Sequence, residues 1–134
     1  MKQLIAFLVI PLFVIGITGA NDPIPVKNLN GTWFKSVGEH EIEFSFKDSV
    51  LIITLKRGGE KLVLDCDIAS SRDGRIFGTV SSVKESGIQG AGEKGDLFGF
   101  KVQRKGELVE ISDLRGTNVN DAARNLVEGE FKKK

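Results

Sequence analysis

Few residues in this chain have the types and spacing that chemistry requires. The 134 residues include one histidine, one cysteine, one tryptophan and no tyrosine. A lone histidine needs carboxylate help to hold a metal ion, and it needs a nucleophile beside it to act as a general base. No Gly-x-Ser-x-Gly surrounds any serine. His40 therefore reads as a structural residue at the end of a strand. Asp65 and Asp67 share one strand face. Paired carboxylates can hold Ca²⁺ or run glycoside hydrolysis, but these two lie beside an inward apolar row and are expected to be solvated. Glu39, Glu41 and Glu43 form a similar row. It invites lysine or arginine on the neighbouring strand, each exposed pair contributing at most about 1 kcal/mol. Cys66 alternates with Leu62, Leu64 and Ile68, which makes it a small buried hydrophobe and not a reactive or dimer-forming thiol.

Gly90-Ala91-Gly92-Glu93-Lys94-Gly95 matches Gly-x-Gly-x-x-Gly literally. In a dinucleotide site those glycines join a strand to a helix whose N-terminus receives the pyrophosphate. Here a strand follows, and Gly92 is followed by Glu93 where a P-loop would carry lysine. The segment Gly87 to Asp96 is expected to be a mobile loop. No catalytic residue, metal ligand or cofactor is expected, and the chain is not expected to be an enzyme.

The elements that would position any site are strands. Period-two alternation dominates after residue 30. Thr32 to Val37 carries Trp33. Ile42, Phe44 and Phe46 alternate with charged and polar residues over the next strand. Val50 to Arg57 leads to Gly58-Gly59, a two-residue hairpin signal. The row Leu62, Leu64, Cys66 and Ile68 follows, then a turn at Asp73-Gly74 and a strand from Arg75 to Lys84. Leu97 to Arg104 places Phe98, Phe100 and Val102 on one face. Glu107 to Leu114 and Val127 to Lys132 complete about eight strands. The one helical signal spans Asn118 to Leu126, capped by Asn118 or Asn120. The expected fold is all-β: a small antiparallel up-and-down barrel or sandwich of about eight strands, with one short helix near the C-terminus.

The first twenty residues predict the compartment. Lys2 precedes an apolar stretch from Leu4 to Ile17, and Thr18-Gly19-Ala20 supplies small residues for cleavage, the pattern of an export signal. The apolar run is too short for a membrane anchor. Residues 1–20 are thus read as a cleavable signal peptide, 21–30 as an extended lead-in with Pro23 and Pro25, and 31–134 as one β-domain. The product is expected to be secreted or periplasmic and monomeric, with no membrane span in the mature chain. Without Lys2 the remainder is formally neutral, which removes the electrostatic case for nucleic acid. One cysteine gives no intramolecular disulfide, so stability must come from the core. Asn30-Gly31-Thr32 is an N-glycosylation sequon.

Leu29-Asn30-Gly31-Thr32-Trp33 resembles the opening strand of lipocalins and fatty-acid-binding proteins, which share Gly-x-Trp near the N-terminus. The resemblance implies that Trp33 closes the narrow end of a barrel against a basic side chain from near the C-terminal strand, with Arg115, Arg124 and Lys132 as the candidates. Avidin-type barrels open the same way, but the single tryptophan and absent tyrosine argue against a biotin pocket. The chain is also similar to small exported proteins of planctomycete-type bacteria. That similarity lies in Gly31-Thr32-Trp33, Phe98-Gly99-Phe100-Lys101-Val102, Asp113-Leu114-Arg115-Gly116 and Val127-Glu128-Gly129-Glu130-Phe131-Lys132. It implies the fold and no activity.

Two functions follow as expectations. One is binding of a small apolar ligand in a lumen lined by Trp33, Phe44, Phe46, Leu64, Phe98 and Phe100. The other is an envelope interaction or inhibitor module with a filled core that meets a protein partner through its loops. A cavity above roughly 300 Å³ would favour the first. The export reading predicts that the mature protein begins at Asn21; N-terminal sequencing of native material that recovers Met1 would overturn it.

Overall fold

The computed structural model describes residues 26–71, 74–88 and 92–134. The export signal, both lead-in prolines and Asp73 of the predicted turn lie outside the described residues. Eight strands run in order: β1 Gly31–Val37, β2 His40–Lys47, β3 Val50–Arg57, β4 Glu60–Ser70, β5 Arg75–Ser86, β6 Leu97–Lys105, β7 Leu108–Gly116 and β8 Gly129–Lys133. Each is antiparallel to the next, and β8 returns to β1. The sheet is a closed barrel, not a sandwich. One helix, α1 Asp121–Val127, lies between β7 and β8. Among the described residues no helix is long and apolar enough to cross a membrane.

Alternation dictates which side chains face inward. Ile42, Phe44 and Phe46 of β2 are buried, as are Leu62, Leu64, Cys66 and Ile68 of β4. Phe44 lies 5.8 Å from Phe100 and 5.1 Å from Phe131, ring centre to ring centre, so three aromatic rings fill the middle of the barrel. Four hairpins use two-residue loops, and the first loop residue has a positive φ in each: Gly38, Asp48, Gly58 and Gly106. Glycine takes that conformation without steric cost. Asp48 is held there by Asn30, whose Oδ1 accepts from the Asp48 amide at 2.9 Å.

Two bulges bend the sheet around its corners. In β5, Ser81 is the extra residue opposite Asp65 and Cys66. Its hydroxyl donates to the Asp65 carbonyl at 2.9 Å, and Ser82 donates to the Asp65 carboxylate at 2.9 Å. Asp65 is thus tied to the bulge and is not a free carboxylate. In β7, the register shifts beside Asp113, which has φ 50°. Arg75, only 8% exposed, donates to the Asp113 carbonyl at 3.1 and 3.2 Å and to its carboxylate. A buried guanidinium requires such partners.

The two ends of the barrel are closed differently. At one end the chain enters through a 3-10 turn, Val26–Leu29, where an extended lead-in was expected. Leu29 is fully buried, and its carbonyl accepts from Trp33 Nε1 at 2.8 Å. Two cations lie over the Trp33 ring: Lys133 Nζ is 4.9 Å and Arg104 Cζ 5.7 Å from its centre. None of the three basic candidates, Arg115, Arg124 and Lys132, fills this role. The reason is strand parity. Phe131 of β8 points inward, so Lys133 shares its face and pairs in register with Trp33, whereas Lys132 takes the outer face. Gly31 has φ 121°, and a Cβ there would sit 2.7 Å from the crossing Lys133 chain. At the other end α1 lies across the mouth. Asn120 caps it, accepting from the Ala123 amide at 2.9 Å, while Asn118 turns to Asp96 instead.

Trp33→Ala removes the indole that plugs one end and its bond to Leu29. The expected cost is about 3–5 kcal/mol, the range for large core aromatics. Thermal melting checks this; an unchanged transition would mean that the plug is not structural.

Candidate functional site

A cavity of about 130 Å³ lies at the α1 end of the barrel. Four of the six residues expected to line a lumen meet there: Phe44, Leu64, Phe98 and Phe100. Trp33 and Phe46 do not. Phe46 pairs with Gly31 and Leu51 toward the opposite, packed end, where Trp33 binds Leu29. The expected single lumen is therefore half filled and half hollow.

The roof was not foreseen from the strand pattern. Ala123, Leu126 and Val127 of α1 face the cavity, with Val119 just before the helix. Their spacing of three and four residues is the apolar stripe of a helix and was readable in the sequence. What the sequence did not show is that this stripe covers an opening in place of packing into a core. No residue of α1 is fully buried. The helix is held by a few polar bonds. Arg124 Nε donates to the Leu114 carbonyl at 3.2 Å, and the Leu114 amide donates to Glu128 at 2.9 Å.

The glycine-rich segment forms one side of the mouth. Of the segment expected to be a mobile loop, 87–88 and 92–96 are described: Gly87 bridges to Lys61, Ile88 is buried, and 92–96 is tied by hydrogen bonds. Gly95 N donates to the Val80 carbonyl at 2.8 Å, and Val80 N donates to the Asp96 carbonyl at 2.9 Å. The Asp96 carboxylate accepts from the Glu93 amide at 2.9 Å and from Asn118 Nδ2 at 2.9 and 2.8 Å. Residues 89–91, including Gly90 of the Gly-x-Gly-x-x-Gly match, lie outside the described residues. A strand, β6, follows the segment. Leu97 lines the cavity and is nonetheless 60% exposed, so the apolar interior reaches solvent beside it.

The other candidates lie apart from the cavity. His40 begins β2 and pairs with Val37 and Arg57 at the strand end. Of the glutamate row, Glu43 is not simply solvated. It accepts from Lys134 and from Lys56 (3.4 Å), and the Lys134 bond, with help from Lys56, holds its carboxyl below the ordinary range. Lys35 faces inward on β1. Its ammonium donates to the Glu128 carbonyl and lies 5.3 Å from the Phe131 ring centre. Burial pushes its pKa down, partly opposed by the Glu128 charge. Among the described residues no group of three or more His, Cys, Asp or Glu side chains could hold a metal ion. No protein-family model, curated protein or solved structure matches the chain.

Cys66 is buried, and burial, with the charges of Asp65 and Asp67, pushes its thiol up to about 12. The thiolate is the reactive form. Cys66 should therefore resist a thiol reagent at pH 8 in the native protein and react fully in denaturant. Rapid native labelling would contradict the packed position.

Proposed function

We propose that this chain is an exported binding protein for a small apolar molecule about the size of one ring. The observation that carries the reading is the apolar cavity of about 130 Å³, walled by Phe44, Leu64, Phe98 and Phe100 and roofed by α1. It falls below the roughly 300 Å³ named above as favouring a ligand carrier, and so below the roughly 300 to 1,000 Å³ of ordinary drug-sized sites. That argues against a whole fatty acid. A cavity of about 150 Å³ lined by leucine, isoleucine and phenylalanine takes up benzene, so the volume suits a single ring or a short alkyl chain. The export half of the reading rests on the leader sequence.

The interaction-module alternative meets its partner through the loops, chiefly Gly87 to Asp96; exposed apolar residues of the outer wall, such as Phe77 at 52%, would add to such a surface. That ring lies across Gly99, where a Cβ would come 3.0 Å from it. An aromatic side chain covering a strand glycine is a common device of sheet stability, and it accounts for Phe77 without a partner.

Titration with toluene, followed by amide NMR, should shift residues around the cavity and leave those around Trp33 unmoved. Ala123→Leu fills the space from the roof. It should raise stability by about 0.5–2 kcal/mol, as cavity filling does, and abolish the toluene shifts. Absence of toluene binding to the unaltered protein would overturn the ligand reading.

A further inference from the structure

Among the described residues the cavity has one charged side chain in its lining, and that side chain is acidic. Its walls and roof are apolar, and its polar side chains are Asp96 and Asn118, both at the mouth. A barrel that took up a carboxylate would need a cation beside its apolar space, since a buried or half-buried anion requires a paired charge. Lys35, the inward lysine of β1, does not line the cavity; its ammonium is committed to the Glu128 carbonyl. Lys133 and Arg104 are at the opposite end against Trp33.

Asp96 itself has no countercharge among the described residues. Its carboxylate accepts from an amide N–H and from the Asn118 side chain, both neutral donors. Among the described residues no lysine or arginine pairs with it. These bonds fix the carboxylate without neutralising it. The apolar wall is close by: a Cβ built on Gly92 would lie 3.5 Å from Leu64 Cδ1 and 3.8 Å from Asp96 Oδ2, so one residue's width separates hydrocarbon from charge. Phe44, Phe98 and Phe100 line the same space with aromatic rings, and the face of such a ring attracts cations.

Building on the ligand reading above, we infer that the cavity takes a small primary amine, protonated, with its ring or short alkyl body among Phe44, Leu64, Phe98 and Phe100 and its ammonium on Asp96. The volume limits the body to about one ring. The fixed carboxylate sets the sign of the charge, and Asn118 holds it in place.

The test compares four probes of similar size on the unaltered protein: benzylamine, benzyl alcohol, toluene and hexanoate, by calorimetry at neutral pH. Benzylamine should bind about tenfold or more tightly than benzyl alcohol, as expected for a charge-assisted bond. Hexanoate should bind more weakly than toluene. The advantage of benzylamine should shrink as salt is raised, while toluene binding should not. Asp96→Asn should bring benzylamine down to the affinity of benzyl alcohol and spare toluene. Because Asp96 also anchors the mouth, the salt series on the unaltered protein decides the matter should that variant fold poorly. Toluene binding with no preference for the amine would overturn this inference and leave the apolar reading standing. No binding by any probe would overturn both.

Discussion

Two residue pairs, Trp33 with Lys133 and Phe34 with Lys132, join the first strand to the last, and the closed barrel depends on them. The seam is short: β8 has five residues, four of which pair with β7 and only two with β1. It is reinforced at both edges. Lys134 N donates to the Thr32 carbonyl at 2.8 Å, and the Lys134 side chain reaches Glu43 on β2. Beyond the paired stretch, the Lys35 ammonium donates to the Glu128 carbonyl and stands in for a missing rung. Closure removes the open edge strands that a sheet of this size would otherwise expose.

The same seam explains why the two ends differ. At the entry end, Lys133 belongs both to the seam and to the cover of Trp33, so closure and plugging are one event. Leu29, Trp33, Phe46 and Leu51 are all buried there. The three rings of Phe44, Phe100 and Phe131 then fill the middle, since an eight-stranded barrel is just wide enough for side chains. At the far end the roof is a helix of seven residues that turns Ala123, Leu126 and Val127 inward. It spans the mouth but cannot fill the space beneath it, and the cavity is what remains.

Polar groups in the structure serve geometry first. Arg75 satisfies the carbonyl that the Asp113 bulge turns out of the ladder. At the other bulge Ser81 donates to the Asp65 carbonyl and Ser82 to its carboxylate. Asp96 differs in that its partners are an amide N–H and Asn118, with no lysine or arginine among the described residues, beside an apolar interior.

The sequence by itself determined the barrel's ingredients. Strict alternation in β2 and β4 placed Phe44, Phe46, Leu64 and Cys66 inward, because side chains on a strand alternate faces whatever its partners are. Glycine and aspartate at the tight turns made neighbouring strands antiparallel, and the Asn120 cap was one of two readable choices. Partners across the barrel were not legible. Trp33 meets Lys133 because β8 closes on β1 in one register, and a shift of one residue would have presented Lys132 instead. Whether the lumen is hollow was equally beyond the sequence. Phe46 and Phe44 are two residues apart with the same chemistry, yet one lies in the packed half and the other at a cavity. Which half stays open is decided by what covers each end: a plug of Leu29 and Trp33 at one, and a short, thinly buried helix at the other.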